Sequence, residues 1–386
     1  MKEDMPIAAV MEEGNENIVL FRPNVPKGAA EAVAEVLNSR WIGQGPRVSQ
    51  FESEFENLFG GGVASAVSCG SGTDALHLAY LLAGVQEGDE VLCPVFTCTA
   101  TNLPSLYIGA KPVFVDIDKL TMNISIDDLE SKITTKTRAI VFVDYGGSPA
   151  DLDRLLEISM KHQLPLIEDA AHALGATYKG KKIGSLADFT IFSFQAIKHI
   201  TTGDGGMLMI KDLSKVPEAH RLRWFGIDRT AKFGGIWEND ITEIGYKYQM
   251  NDISAAIGIC SLKEFPATLS KRRKLLTLYG ELLKEITEIK QVGFPFDDGH
   301  AAWLHTIYTS KALQLRDFLR ERGIESGQVH FRNDRYSVFG GRIDNCPNMD
   351  EVEDKYLVLP LHTAMSELDV HRVASAINDF FLTKNS

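Results

Sequence analysis

The sequence has little of several features that mark whole classes of protein. Its five cysteines, Cys69, Cys93, Cys98, Cys260 and Cys346, are an odd number and form no Cys-x-x-Cys pair. A disulfide framework and a structural zinc site are therefore not indicated, and we expect free thiols. The ten histidines include no His-Glu-x-x-His arrangement or similar ligand spacing, so we expect no metal centre.

Long apolar runs and an excess of positive charge are also missing. No apolar run reaches the roughly 20 residues of a membrane span, and the N-terminus lacks a basic segment followed by an apolar one. The formal net charge of −12 argues against nucleic acid as a partner. The 386 residues are 44% hydrophobic and 24% charged, as in an ordinary globular protein. We expect a cytoplasmic protein with neither a membrane nor a nucleic-acid partner.

Short apolar runs alternate with helical segments along the first two thirds of the chain. The pattern predicts helices over 29–37, 73–83 and 152–162, and strands over 64–68, 90–93, 112–116, 139–144, 166–169 and 189–194. Residues 41–46 are rich in turn formers and predict a loop. Such alternation is typical of an α/β fold, with a mainly parallel sheet covered by helices on both faces.

The pattern changes past about residue 265, where Lys271-Arg272-Arg273-Lys274 is predicted to open a long charged helix. Shorter strand and helix signals follow, which indicates a second, smaller α+β domain. We therefore expect a polar N-terminal extension over 1–17, a large domain over 18–265 and a small domain over 266–386. We leave open whether residues 18–45 pack with the large domain or with the small one.

Two residues with complementary chemistry follow predicted strands. Asp169 ends the run 166–169, and Lys198 comes shortly after the run 189–194. Because the carboxyl ends of parallel strands meet at the ligand-binding edge of a sheet, we expect these side chains to lie together. Pyridoxal 5'-phosphate needs both groups: a lysine that forms a Schiff base, and an anion beside its protonated pyridine nitrogen. Beside that cation Asp169 should have a lowered pKa, and Lys198 would be the base at the donor carbon.

Each of these residues also has a plain structural interpretation. Most lysines are solvated surface groups, and Asp169 could be the N-cap of a helix over the following residues. His172 is either a packed core histidine or a residue placed against the cofactor ring.

A glycine-containing turn predicts a phosphate site. Residues 69–76, Cys-Gly-Ser-Gly-Thr-Asp-Ala-Leu, lie between a predicted strand and a predicted helix. The glycines let the backbone approach a ligand closely, and a helix start offers free N–H groups to an anion. Ser193 and the turn 201–203 could add hydroxyls and amides to the same anion.

Together these motifs resemble the sugar aminotransferases named after DegT, DnrJ, EryC1 and StrS, within fold type I of the pyridoxal phosphate enzymes. The similarity covers nearly the whole chain from about Leu20. It depends on an ordered set of segments, 40–46, 71–76, 168–172, 193–198, 201–206 and 245–252. The resemblance implies an α/β large domain with a mainly parallel seven-stranded sheet between helices, plus a smaller C-terminal α+β domain.

The resemblance also implies roles for individual residues. Lys198 would carry the cofactor, Asp169 would pair with its pyridine nitrogen, and the phosphate would be held by Gly72, Thr73 and Ser193. In that family Asn251 reaches the cofactor phosphate of the neighbouring subunit, which implies a homodimer with shared active sites. The implied reaction moves the amino group of L-glutamate to a keto group of a nucleotide-linked deoxysugar.

Several positions depart from the family pattern. Cys98 stands where an aromatic residue commonly covers the cofactor ring, so that stacking on the ring must weaken or come from another residue, with Phe96 or His172 as candidates. The segments expected to face the sugar also differ, including residues 143–147. Candidate sugar contacts are Trp41, Lys247, His330 and Arg332, and the basic residues to consider for a diphosphate are Arg22, Arg229, Lys247, Arg332 and Arg335.

Two other functions compete with transamination. Sugar dehydratases of the same family carry histidine at the lysine position, whereas here Lys198 occupies it and His199 is only its neighbour. A non-catalytic sensor could keep the fold and bind cofactor or sugar without turnover. The joint presence of Lys198, Asp169 and Ser193 favours the aminotransferase.

Overall fold

The structure is a computed structural model that describes residues 17–228 and 241–383. The helices in these ranges are α1 (Ala29–Leu37), α2 (Pro46–Phe59), α3 (Gly72–Leu82), α4 (Thr99–Ile108), α5 (Ile126–Ser131), α6 (Leu152–His162), α7 (Val216–Leu222), α8 (Asp252–Leu283), α9 (Ala312–Arg320), α10 (Pro347–Val352) and α11 (Glu367–Thr383). The expected extension over 1–17, apart from Asn17, and the candidate Arg229 lie outside the described residues.

The strands of the described ranges form four sheets. They are β1 (Ser65–Cys69), β2 (Glu90–Pro94), β3 (Phe96–Thr97), β4 (Lys111–Val115), β5 (Thr137–Val143), β6 (Leu166–Asp169), β7 (Thr177–Tyr178), β8 (Lys181–Lys182), β9 (Phe189–Ser193), β10 (Gly206–Ile210), β11 (Lys290–Gln291), β12 (His305–Tyr308), β13 (Phe331–Arg332) and β14 (Tyr356–Leu359).

The largest sheet has seven strands in the order β1-β10-β9-β6-β5-β2-β4. Strand β10 runs antiparallel to both of its neighbours, whereas β9, β6, β5, β2 and β4 are parallel to one another. The carboxyl ends of β5, β6 and β9 therefore meet at one edge, in the middle of the sheet. This confirms the predicted α/β fold with a mainly parallel seven-stranded sheet.

Apolar side chains cover both faces of this sheet. Phe55 of α2 contacts both Phe192 and Phe194 on one face, with ring centroids 5.3 and 5.5 Å apart. On the other face, buried residues of α3 pack with Ile167 of β6 and Ile191 of β9. Burial on both faces explains why these strands read as nearly continuous apolar runs in the sequence.

Helix α2 is absent from the elements that the sequence predicted. Pro46 belongs to a run of turn formers, but it is the first residue of α2, where the missing N–H of proline costs no hydrogen bond. Phe51, Phe55 and Phe59 recur every four residues and are all buried, so they form one apolar helix face.

Helix α8 differs most from its prediction. It begins at Asp252 rather than at Lys271 and continues to Leu283, with Pro266 inside it. Its first half packs against the large sheet, and its second half packs in a separate core with the last helix, α11. The change to charged residues thus marks where one helix passes from the first core to the second. The division of the chain near residue 265 stays a prediction.

The second core is built on a three-stranded antiparallel sheet in the order β11-β12-β14. Helices α9 and α11 pack on it through residues such as Leu315 and Phe380. Ile18 contributes to the same core and forms a parallel bridge with Ile324. None of the helices in 17–228 and 241–383 is long and apolar enough to cross a membrane.

Candidate active site

A cavity of about 400 Å³ opens where β6 and β9 end. Its walls come from the β1–α3 turn, the β3–α4 connection, the segment after β9 and the segments around residues 303 and 330. A volume of this size suits a small-molecule or cofactor site. The residues that line it include Gly72, Thr73, Cys98, Asp169, His172, Ser193, Lys198, Trp303 and His330.

Asp169 lies at the floor of this cavity and is 4% exposed. Its Oδ2 accepts a hydrogen bond of 2.7 Å from the Thr101 hydroxyl, and its Oδ1 accepts one of 3.1 Å from the Ala171 N–H. No helix follows Asp169, so its contact with Ala171 closes a turn and is not a helix N-cap. The helix-capping interpretation was therefore wrong.

Burial raises the pKa of Asp169, although Thr101, Ala171 and the Lys198 charge act in the opposite direction. From the sequence, a lowered pKa was expected for Asp169 beside a pyridinium. In the protein alone the cost of burying the carboxylate is larger than the effect of these partners. A lowered pKa thus stays a prediction for the protein with a cation bound beside Asp169.

Lys198 follows β9 and lines the same cavity. Burial lowers the pKa of its amine to about 8, and Arg272 acts in the same direction, whereas Cys98 and Asp169 raise it. Its Nζ lies 3.8 Å from the centroid of the Trp303 ring. A lysine amine with a pKa close to neutral can act as both base and nucleophile.

The start of α3 forms the other end of the cavity. Ser71 caps the helix by accepting a 3.0 Å hydrogen bond from the Asp74 N–H, while the N–H groups of Gly72 and Thr73 have no acceptor within the helix. A Cβ at position 72 would come within 3.0 Å of the Ser193 Cβ. Glycine therefore lets the helix start lie directly beside the Ser193 hydroxyl, which gives an anion two kinds of donor.

The other predicted phosphate donors face inward. The Thr201 hydroxyl donates to Phe194 O at 3.2 Å, and the Thr202 hydroxyl donates to Asp204 O at 2.7 Å. Their hydroxyl protons hold the turn together, so they are not directed to a ligand.

His172 and His330 lie together at the cavity wall. Burial lowers the pKa of both, that of His330 to about 3, so each ring is neutral and carries one N–H. His172 Nδ1 accepts from the Gly146 N–H at 3.4 Å, and its Nε2 is 3.3 Å from His330 Nε2. The His172 proton is therefore on Nε2, and His330 keeps its proton on Nδ1.

The three residues considered beside the cofactor ring differ in their access to the cavity. Cys98 lines the cavity, at the start of α4. Phe96 is buried elsewhere, with its ring 5.2 Å from Tyr145 and 5.3 Å from Tyr356. His172 lines the cavity and stacks on Trp303, with ring centroids 3.8 Å apart. Of the two replacements that the sequence suggested, His172 is the one that reaches the cavity.

Three predicted residues lie outside the cavity wall in this chain. Trp41 is 44% exposed on the loop before α2. The Lys247 amine lies 3.6 Å from the centroid of the Trp224 ring. Asn251 caps α8, where its side chain accepts a 2.9 Å hydrogen bond from the Ser254 N–H. Their predicted ligand contacts stay predictions.

Arg332 is a correction to the expected sugar site. Its side chain is fully buried and forms two hydrogen bonds with Asp334, at 2.6 and 2.7 Å. Asp350 and Glu353 are further ion-pair partners. Because its charge is already neutralised and it does not line the cavity, Arg332 cannot bind a diphosphate as placed. Arg335 lies 4.6 Å from the centroid of the Phe331 ring, and Arg22 is exposed.

Thr101 and Trp303 are site residues that the sequence analysis missed. Thr101 lies in the first turn of α4, where a threonine carries no obvious signal. Trp303 follows two alanines in a segment without regular periodicity. The sequence around Trp303 thus carries no signal that distinguishes a site residue from a core residue. No group of three or more potential metal ligands occurs in the described ranges.

The cavity fits pyridoxal 5'-phosphate on the chemistry of its walls. The carboxylate of Asp169, the amine of Lys198 and the donors at the start of α3 lie in one enclosed space. They match the ring nitrogen, the aldehyde and the phosphate of that cofactor. Replacing Gly72 with a larger residue would push the start of α3 away from Ser193 and so would disturb the phosphate end of this fit.

Comparisons with known proteins identify the family of the chain. Residues 24–378 match the model of the DegT/DnrJ/EryC1/StrS aminotransferase family. GDP-perosamine synthase of Escherichia coli O157:H7 is 32% identical over 371 residues, which are 95% of this chain and 99% of the relative. The crystal structure of AtS13 from Actinomadura melliaura has a TM-score of 0.89 and 35% identity, covering 95% of this chain and 99% of that one.

A further solved structure shows the cofactor. It is the putative sugar aminotransferase Spr1654 from Streptococcus pneumoniae in its pyridoxal phosphate form, with a TM-score of 0.87 and 30% identity, covering 94% of this chain and 98% of that one. The similarity in fold and in sequence extends over nearly the whole length of the chain. The chain therefore belongs to the DegT/DnrJ/EryC1/StrS aminotransferase family, and several of the solved structures that it resembles are described as sugar aminotransferases.

Proposed function

We propose that this protein is a cytoplasmic, pyridoxal 5'-phosphate-dependent aminotransferase that moves the amino group of L-glutamate to a keto group of a nucleotide-linked deoxysugar. The observation that carries the proposal is that Lys198, Asp169 and the start of α3 line one cavity. The similarity to GDP-perosamine synthase supports a nucleotide-linked acceptor.

The residues of the cavity divide the work of holding the cofactor. Gly72, Thr73 and Ser193 would bind its phosphate, Asp169 would pair with its ring nitrogen, and Lys198 would form its covalent attachment. When bound, the cofactor supplies an electron sink for the electron pair left after a proton leaves the donor carbon.

Lys198 is the base in this account. With a pKa of about 8, its amine is partly unprotonated near neutral pH and can take a proton from the amino donor and return it to the acceptor. Hydrogen bonds from Thr101 and Ala171 hold the Asp169 carboxylate in one orientation. The neutral rings of His172 and His330 close the wall without adding a competing charge. A lysine at position 198 also supports transamination over the elimination catalysed by sugar dehydratases.

A half-reaction assay tests the donor. The purified protein with bound cofactor should be yellow, lose this colour on addition of L-glutamate and release 2-oxoglutarate. An unchanged spectrum, in protein shown by phosphate analysis to hold the cofactor, would contradict glutamate as donor.

A substrate panel tests the acceptor. Nucleotide-linked 3-keto and 4-keto sugars carrying dTDP, UDP or GDP are added to the bleached protein, and the return of the yellow colour is measured. One class should restore it at least tenfold faster than the others. If free keto sugars are as good as all nucleotide-linked ones, the nucleotide part of the proposal is wrong.

We extend the proposal to a homodimer with shared active sites. Asn251 is exposed at the start of α8, and Trp41 and Lys247 lie outside the cavity wall of their own chain. These positions suit contact with a second copy. Light scattering should give twice the chain mass, and mixing inactive Lys198→Ala with inactive Asn251→Ala protein should restore part of the activity. A monomeric mass with full activity would contradict the dimer.

A further inference from the structure

We propose that Trp303 is a positioning residue, which holds the Lys198 amine over its indole ring whenever that amine is not bonded to the cofactor. The proposal deepens the proposed function and rests on it, because a lysine that carries the cofactor and also moves protons must be freed and recaptured in every cycle. Without a holding site, a four-carbon side chain would sample many positions in the cavity.

The contact between the two side chains is direct. Nζ of Lys198 lies 3.8 Å from the centroid of the Trp303 ring, well within the roughly 6 Å of a cation–π interaction. In 17–228 and 241–383, no residue forms an ion pair or a hydrogen bond with this amine. Among the described residues, the ring face of Trp303 is thus the direct contact that stabilises this amine.

The indole leaves a polar group unsatisfied. Trp303 is 2% exposed, and its buried Nε1 has no hydrogen-bond partner among the described residues. A buried donor without a partner costs free energy that a phenyl ring would avoid. What indole provides instead is the aromatic face that binds cations most strongly. An indole at position 303 is therefore better explained by cation binding than by packing alone.

The backbone around Trp303 is held by side chains at every carbonyl of residues 300–303. Arg273 donates to the first of these at 2.8 Å, His199 Nε2 contacts the second at 2.7 Å, and Arg272 donates to the third and fourth, both at 2.8 Å. His199 is the neighbour of Lys198 in the chain. These hydrogen bonds therefore hold both the Trp303 segment and the segment that carries Lys198, so the ring and the amine keep their relative positions.

The pKa of the Lys198 amine depends on the groups that face it as well as on the Trp303 ring. Burial and Arg272 lower the pKa of Lys198, whereas Cys98 and Asp169 raise it. His172 and His330 are neutral, as shown above. The negative ring face of Trp303 favours the ammonium form, so weakening that face should make the amine lose its proton at lower pH.

The test measures the proton affinity of Lys198 without turnover. Protein carrying pyridoxamine 5'-phosphate, which leaves the lysine free, is acetylated at a series of pH values, and the modified Lys198 peptide is quantified by mass spectrometry. The unaltered protein should react half-maximally near pH 8, at about its pKa. With Trp303→Leu the midpoint should fall by roughly half a unit to one and a half units.

Fluorinated tryptophans at position 303 avoid the risk that the leucine variant does not fold. They keep the shape of indole and weaken its negative face, so the midpoint should fall stepwise with the number of fluorine atoms. As a control, Phe21→Leu removes a ring stacked on Trp303 at 5.8 Å and leaves the indole in place, so the midpoint should not move.

A midpoint that is the same with indole and with trifluoroindole overturns the proposal. A fall with Phe21→Leu as large as with Trp303→Leu also overturns it, because packing would then be the cause. The titration is repeated without added cofactor, so a result on Trp303 is obtained even if the protein fails the glutamate assay. Failure of the proposed function and failure of this inference are thus read from separate measurements.

Discussion

Lys198 and Arg332 are two basic residues with opposite surroundings. Both were expected to contact a ligand. The Lys198 amine lines the cavity, has no ion-pair partner among the described residues and has a lowered pKa. The Arg332 guanidinium is fully buried and paired with Asp334, Asp350 and Glu353. One charge is available for chemistry, and the other is already neutralised.

The difference shows what decides the role of a buried cation. Both residues are basic, but carboxylates form ion pairs with only one of them. A motif that contains a lysine before a glycine-rich turn can be read from sequence. The partners of Arg332 come from residues 2, 18 and 21 positions away and cannot be inferred without the fold.

The largest effect is expected on the Lys198 side of this comparison. Lys198→Ala removes both the cofactor attachment and the base, so turnover should fall about 10⁴-fold or more while the protein stays folded and keeps cofactor noncovalently. The exposed Lys181→Ala on β8 is the control and should leave turnover unchanged. Steady-state kinetics and circular dichroism measure both. Turnover within tenfold of the unaltered protein would refute the role of Lys198.

Asp169→Asn should have the next largest effect. The variant keeps the shape of the side chain and removes its charge, so the half-reaction with glutamate should slow by about 10²- to 10³-fold. Thr101→Val removes one hydrogen bond to the carboxylate and should slow it less. Stopped-flow absorbance follows both. Equal rates for Asp169→Asn and the unaltered protein would count against the carboxylate.

Arg332→Met tests whether the Arg332 guanidinium stabilises the fold. It leaves Asp334 buried without its partner, so the free energy of unfolding should fall by about 3–5 kcal/mol. Arg342→Met is the matched control, because Arg342 contacts Asp350 and Glu353 but its side chain is 51% exposed. Its loss should cost less than about 1 kcal/mol. A folded Arg332→Met protein of unchanged stability but raised KM for the sugar would restore the predicted ligand role.

Asp144 and Glu168 form a buried pair of carboxyl groups. Asp144 and Glu168 are fully buried, and Asp144 donates a hydrogen bond to Glu168. Burial raises the pKa of both carboxyls, that of Glu168 from 4.5 to about 7. Between these values the folded protein holds more protons than the unfolded chain. This contribution to stability is therefore complete below pH 4.5 and is lost as the pH rises through about 7.

The double variant Asp144→Asn, Glu168→Gln removes both titrating groups. Its free energy of unfolding should depend less on pH across this window, by on the order of 2 kcal/mol. Urea titrations at several pH values measure the difference. Parallel pH profiles for the two proteins would show that the pair does not share a proton.

The main features of the fold could be read from the sequence because they depend on local patterns. Helices α1 and α6 and strand β6 occupy the predicted residues, since apolar spacing and nearby turn formers define them. Helix α8 could not be placed, because its two halves are buried in different cores. That outcome depends on contacts between residues far apart in the chain.

The same division holds for the site. Asp169, Lys198 and Gly72 lie at strand ends or a helix start, and the sheet topology alone brings them together. Thr101 and Trp303 were missed because their roles depend on contacts with Asp169 and Lys198 that no spacing in the sequence encodes. Arg332 was misplaced for the corresponding reason.

The decisive measurement identifies the lysine that carries the cofactor. The yellow protein is reduced with borohydride, which fixes the cofactor to the amine that holds it, and is then digested and mapped by mass spectrometry. We expect the phosphopyridoxyl group on Lys198 and on no other lysine. The group on a different lysine, or no labelled peptide from protein that holds the cofactor, would contradict the account.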